Sequence, residues 1–210
     1  MHHTSVLHTR AGFTLMEVLI TLTIIAAIIS IAIPTLTGVM DTKDTVICTA
    51  NLKSIGGAIH LYYKRFNRYP NTASGVQFLL APLKSGIISA TEKNIRGTYI
   101  CPGDDEASAT EDVIGAYQDL DNLDPKVISY AGRNTRDFPL RRKNADREVI
   151  ACDAGGLDGS VFIHKHKINV LYLDGTVSDI DVLDIPGGEA GFSVGPDSQI
   201  PMLRKLNKKP

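Results

Sequence analysis

Hydrophobic residues follow two unlike patterns along this chain. From Phe13 to Ile33 they run almost without interruption, FTLMEVLITLTIIAAIISIAI, and Glu17 is the one charge among them. Apolar residues occupy every face of such a helix, which argues against a surface helix or an ordinary core helix. At ~1.5 Å per residue the run would be roughly 30 Å long, the thickness of a bilayer's hydrocarbon core. Pro34 closes it, as a kink or a stop. A cleaved secretory signal would also begin with a basic residue such as Arg10, but SIAIPTL is a poor small-residue cleavage site. The chain beyond it also continues as a helix.

The second pattern is periodic. Cys48, Leu52, Ile55, Ile59, Tyr62 and Phe66 recur at spacings of four and three, one face of an amphipathic helix. Thr49, Lys53, Lys64 and Arg65 fill the other face, and Gly56-Gly57 weakens the helix locally. Arg68-Tyr69-Pro70-Asn71 ends it near Asn67. Residues 13–66 thus read as one long helix in two halves. Beyond residue 86 short β-type runs appear at Thr98–Cys101, Val127–Tyr130, Glu148–Cys152, Ser160–His164, Ile168–Leu173 and Thr176–Val182. Asp174-Gly175 marks a tight turn between the last two. The acidic stretch 104–126 reads as a solvated, irregular loop, and Arg204–Lys209 as a solvated basic end. The expected class is α+β, an antiparallel sheet packed on the amphipathic half of the helix.

Composition narrows the function. The chain has 210 residues, 43% hydrophobic and 21% charged, with a net charge of −1. That apolar content argues against global disorder. The neutral balance lacks the basic footprint of nucleic-acid binders, so no nucleic acid is expected as a partner. The mean hydropathy of +0.01 averages an apolar helix and a polar domain.

Glu17 is the discriminating residue. A carboxylate inside an apolar span costs on the order of 2–3 kcal/mol and calls for a partner. Its context is Arg10-Ala11-Gly12-Phe13-Thr14-Leu15-Met16-Glu17, a polar leader ending in Gly, then Phe, then Glu four positions on. This resembles the processing segment of type IV prepilins and type II secretion pseudopilins. The resemblance implies a leader over 1–12, cut by prepilin peptidase between Gly12 and Phe13, and N-methylation of Phe13. It implies a transmembrane and assembly helix over 13–40, with a helix kink at Pro34. A periplasmic pilin-like domain follows over 41–210. Glu17 would pair with the Phe13 amine of a neighbouring subunit and set register in a low-dielectric bundle.

Further residues support a similar assignment. Leu61-Tyr62-Tyr63-Lys64, Arg68-Tyr69-Pro70-Asn71-Thr72 and Gly75-Val76-Gln77-Phe78-Leu79-Leu80 resemble the major pseudopilin of type II secretion, a match over roughly residues 13–85. Cys101-Pro102, Ser129-Tyr130 and His164, nine residues before Asp174-Gly175, resemble a prepilin-like group with a His–nine residues–Asp-Gly signature. This chain departs from that group in having Lys165-His166-Lys167 after the histidine. Phe192–Asp197 resembles the calcium-loop region of major pseudopilins, but Ser193 and Asp197 are too few for calcium's six to eight oxygens. No cofactor is therefore expected, with calcium the one candidate.

The remaining chemistry is sparse. His164 and His166 could share a strand face, with Cys152, Asp153 or Asp174 as further metal ligands. No established ligand spacing supports them, so any metal is left unassigned. Three cysteines, Cys48, Cys101 and Cys152, allow three pairings if the domain lies outside the cytoplasm. Cys101–Cys152 is the expected bridge, leaving Cys48 on the helix; three buried thiols are the alternative. No nucleophile–base pattern or phosphate loop suggests an enzyme. The expectation is a non-enzymatic subunit of a type II secretion pseudopilus or type IV pilus-like filament. Its partners would be other pilin or pseudopilin subunits, prepilin peptidase and an inner-membrane assembly platform. A minor pilin of an adhesion, motility or DNA-uptake filament is the variant within that class. A membrane-anchored ligand- or metal-binding module is the alternative outside it.

Overall fold

The computed structural model describes residues 13–165, 167–185 and 187–209, without the side chains of 32–41, 142, 182 and 189. Gly12 and His166 lie outside the described residues, and so does the Pro34 side chain. The chain divides into two compact units at Met40/Asp41. Helix α1 runs Leu15–Phe66, with helical backbone through position 34. In the first unit its apolar side chains are exposed on all sides, from Leu15 to Ile31. No helix is long and apolar enough, within the described residues, to cross a membrane.

The second unit is built on a five-stranded antiparallel sheet. Its strands are β1 (Tyr130–Arg133), β2 (Val149–Asp153), β3 (Lys167–Tyr172), β4 (Val177–Asp181) and β5 (Leu206–Asn207), in the order β4-β3-β2-β1-β5. The periodic face of α1 is buried as far as Ile59, whereas Tyr62 is half-buried and Phe66 exposed. Cys48, Leu52, Ile55 and Ile59 are buried in a core with Tyr130, Ile150 and Leu171 of the sheet. Gly56 sits on that face, where a Cβ would approach Leu171 Cδ1 to 3.1 Å; Gly57 points into open space. Asn67, at φ 52°, ends the helix by turning left-handed. The α+β arrangement, a long N-terminal helix packed on an antiparallel sheet, is that of the pilin class.

Helix α2 (Gly75–Lys84) is started by Ser74, whose Oγ accepts the Gln77 N–H at 2.9 Å. It crosses β1 where Gly75 meets Gly132, and an added Cβ on either would overlap the other's backbone. This explains why a glycine stands between the polar turn and the apolar helix. Thr135 fastens the preceding turn, donating its hydroxyl to Pro70 O (2.6 Å) and accepting the Thr72 N–H (3.0 Å).

Several local expectations are corrected. Thr98 and Tyr99 belong to helix α3 (Glu92–Tyr99), started by Thr91, rather than to a strand. The residues before Tyr130 form a 3-10 turn over Pro125–Val127, so the strand begins three residues later than its apolar run. Ser160–His164 is a loop with one isolated bridge, Gly155 to Val161. The acidic stretch is not merely solvated. It holds the single-turn helices α4 (Asp105–Ser108) and α5 (Val113–Ala116), and it buries Ala107, Val113, Tyr117 and Leu123. The basic C-terminal end is ordered too. A 3-10 turn at Pro201–Lys205 leads into β5, which pairs with β1. Ile185, Phe192, Ile200, Leu203 and Leu206 cover the second face of the sheet in a separate core with Cys152, Ile168 and Val170.

Candidate functional site

Two groups of residues carry chemistry, and they lie in different units. The first is the start of α1. Thr14 Oγ1 accepts the Glu17 N–H at 3.2 Å, while Glu17 Oε2 accepts the Thr14 N–H and hydroxyl, both at 2.8 Å. This reciprocal pairing is a capping box, in which a threonine and a glutamate three residues later satisfy helix-start donors that have no partner in the ladder. Glu17 therefore has a local role besides any role in assembly. The Thr-x-x-Glu spacing before an apolar run is a legible signal for it. Phe13 precedes the box and is 87% exposed.

The second group is buried at the junction of α1, the loop after α3, and the sheet. Cys48 on α1 is bonded to Cys101, with Cα atoms 5.3 Å apart, and Cys152 is a buried free thiol. The expected Cys101–Cys152 bridge is thus overturned. Successive side chains on a strand point to opposite faces. Cys152 belongs to the core on the C-terminal face, whereas Cys101 lies in the core shared with α1. Burial pushes the Cys152 thiol well above its ordinary range.

Next to the bridge stands His164, 1% exposed, with Nε2 3.5 Å from Cys101 Sγ and 3.5 Å from Asp153 Oδ2. Asn169 on β3 holds that carboxylate, donating its backbone N–H to Oδ1 (2.8 Å) and its side-chain amide to Oδ2 (2.6 Å). Burial raises the Asp153 carboxyl to about 7, against the Asn169 hydrogen bonds that favour its charged form. Gly103 lets the Pro102-Gly103 turn lie on the imidazole, since a Cβ there would be 3.2 Å from His164 Cε1. Ser129 accepts the Cys101 N–H at 2.8 Å, and Asn51 donates to Ile100 O at 2.8 Å.

The His–nine residues–Asp-Gly signature is therefore not one site. His164 precedes β3 and Asp174-Gly175 follows it, so a six-residue strand of roughly 20 Å separates them. Asp174 caps its own turn, accepting the Thr176 N–H and hydroxyl, and Gly175 takes φ 90°. Its Cα lies 3.7 Å from the Cβ position of Gly56, so the turn abuts α1. Ser193 is half-buried and Asp197 is exposed.

Comparison with known proteins adds an independent line. Residues 7–33 match the family model described as the prokaryotic N-terminal methylation motif. Over 72 residues, 34% of this chain and 51% of the relative, it is 31% identical to type II secretion system core protein G of Klebsiella pneumoniae. The protein of that name from Pectobacterium carotovorum is 30% identical over 71 residues, 34% of this chain and 46% of the relative. That from Aeromonas hydrophila is 30% identical over 71 residues, 34% and 50%. The chain spans about half the length of the curated relatives it matches. No solved structure gives a significant match. The chain carries the prokaryotic N-terminal methylation motif, and over about a third of its length it is similar to the type II secretion system core protein G of several bacteria.

Proposed function

We propose that this chain is a non-enzymatic structural subunit of a type II secretion pseudopilus or a type IV pilus-like filament. In this reading it is cut between Gly12 and Phe13, N-methylated on Phe13, and assembled through α1 to drive protein export. The observation that carries the reading is the methylation motif over residues 7–33, which includes the apolar start of α1. The similarity to core protein G supports the same machine. Physical chemistry supports it as well. Leu15, Met16, Ile24, Ile28 and Ile31 are half or more exposed, and apolar area of that extent needs a bilayer or neighbouring helices around it.

The inner membrane would hold the subunit by residues 13–40 before assembly, with 41–210 on the periplasmic side. Prepilin peptidase, an assembly platform and other pilin-like subunits would be its partners. In the filament the Glu17 carboxylate would exchange its hydrogen bonds to Thr14 for the amine of a neighbouring Phe13. A charge pair excluded from water is strong enough to select that register. Mass spectrometry of the chain co-expressed with a prepilin peptidase tests the reading. The expected product begins at Phe13 and carries one added methyl group on its amine. An uncut chain, or a cut elsewhere, overturns it.

A further inference from the structure

We propose that Cys48, Cys101 and His164 form a buried site for a thiolate-preferring divalent cation, zinc foremost, with water as its fourth ligand, whenever the two sulfurs are thiolates rather than a disulfide. The proposal concerns the globular unit alone and does not depend on the filament reading. One ligand atom each from Cys48, Cys101 and His164 falls within 4.8 Å of the others, and all three residues are buried. Zinc binds thiolate at about 2.3 Å and imidazole at about 2.0–2.1 Å, which in a tetrahedron sets sulfur and nitrogen about 3.5 Å apart. The Cys101 Sγ to His164 Nε2 distance is 3.5 Å. Asp153 Oδ2 stands 3.5 Å from the same nitrogen, beside the three donors, where it would accept a hydrogen bond from a water in the fourth position.

The surroundings suit a cation as well as the donors do. Asp153 is fixed by the two Asn169 hydrogen bonds, the kind of outer polar support found around metal sites. Its carboxylate is 2% exposed, and its Oδ2 is turned toward the histidine. The three ligands come from α1, the loop after α3 and the loop before β3. A single ion would therefore tie together the same segments that the disulfide ties, with the β2–β3 loop added. Cys152 takes no part, because it faces the other core.

The chemistry balances simply. A phosphine reductant takes oxygen from water to become its oxide, and the S–S bond gains two electrons and two protons to give two thiols. Zinc binding then displaces those two protons. The test uses the full chain in detergent, reduced anaerobically with a phosphine and then cleared of excess reductant. Cobalt(II) is the probe and zinc the competitor. The expected result is one cobalt per reduced chain, with a sulfur-to-cobalt charge-transfer band and intense visible bands of four-coordination, all abolished by zinc. The oxidised chain should show neither band, and Cys152→Ser should match the wild type. Asp153→Asn and His164→Asn should weaken binding at least tenfold. A reduced wild-type chain that neither binds cobalt nor regains its fold with zinc overturns the proposal. So does a charge-transfer band that survives in Cys48→Ser, or one that disappears in Cys152→Ser.

Discussion

Gly56 and Gly57 are neighbours in α1, yet only Gly57 faces open space. A helix-interior glycine costs ~1 kcal/mol relative to alanine, so Gly57→Ala should raise stability by about that much in a urea titration. Gly75 is the opposite case. Its Cβ would collide with the backbone of Gly132 and Asn207, so Gly75→Ala should cost roughly 3 kcal/mol by the same measurement. Lys208 adds a pH dependence. Its side chain is fully buried and its Nζ has no hydrogen-bond partner among the described residues, with Asp104, Glu106, Cys152 and Asp158 as the ionisable groups around it. Burial lowers its pKa from 10.5 to about 8, against those acids. The unfolded chain thus holds a proton that the folded chain gives up, and stability rises with pH between about 8 and 10.5. The penalty is full below about 8. Lys208→Met should therefore stabilise the protein at pH 7 by about 3 kcal/mol and flatten that rise. A melting series showing the same slope in the variant would refute the assignment to Lys208.

At the scale of elements, what could be read ahead of the structure was what local pattern dictates. The periodic face of α1, the strands around Ile150 and Val170, and the Asp174-Gly175 turn follow from spacing and turn chemistry alone. The Thr14–Glu17 capping box is equally local. What sequence did not disclose depends on tertiary partners. The short run Thr98–Cys101 is apolar enough for a strand, but the Thr91 cap and Arg96, which bonds Glu92 at 2.8 Å, draw its first residues into α3. Short apolar runs do not distinguish helix from strand by periodicity. The C-terminal end looked like a basic tail because its lysines and arginine outnumber its apolar residues. Ile200, Leu203 and Leu206 reach the core, and their value lies in the sheet face they cover. Removing residues 200–210 should therefore expose that face. The shortened chain should bind a hydrophobic dye and lose its cooperative melt, whereas a dispensable tail would leave both unchanged.

At the scale of the whole globular unit, the covalent link decides how the long helix is held. The bridge joins Cys48 to Cys101 across 53 residues, a loop containing α2, α3 and the second half of the helix. Closing a loop of that length removes unfolded-state entropy worth roughly 4 kcal/mol. This is a large part of the 5–15 kcal/mol that a domain of ordinary stability possesses. A bridge between Cys101 and Cys152 would have closed a loop without α1 and left the helix held by packing alone. The two connectivities therefore predict different outcomes. Cys48→Ala and Cys101→Ala should each lower stability by about 4 kcal/mol under oxidising, metal-free conditions, and each should make the melt insensitive to reductant. Cys152→Ala should remain sensitive to reductant and lose only what a small buried cavity costs, about 1–2 kcal/mol. A Cys152 variant that behaves like the Cys101 variant would place the bridge on β2. The result would also fix the load path of the filament reading. A pull on α1 would then reach the sheet through the core contacts of Leu52, Ile55 and Ile59 instead of through a covalent bond.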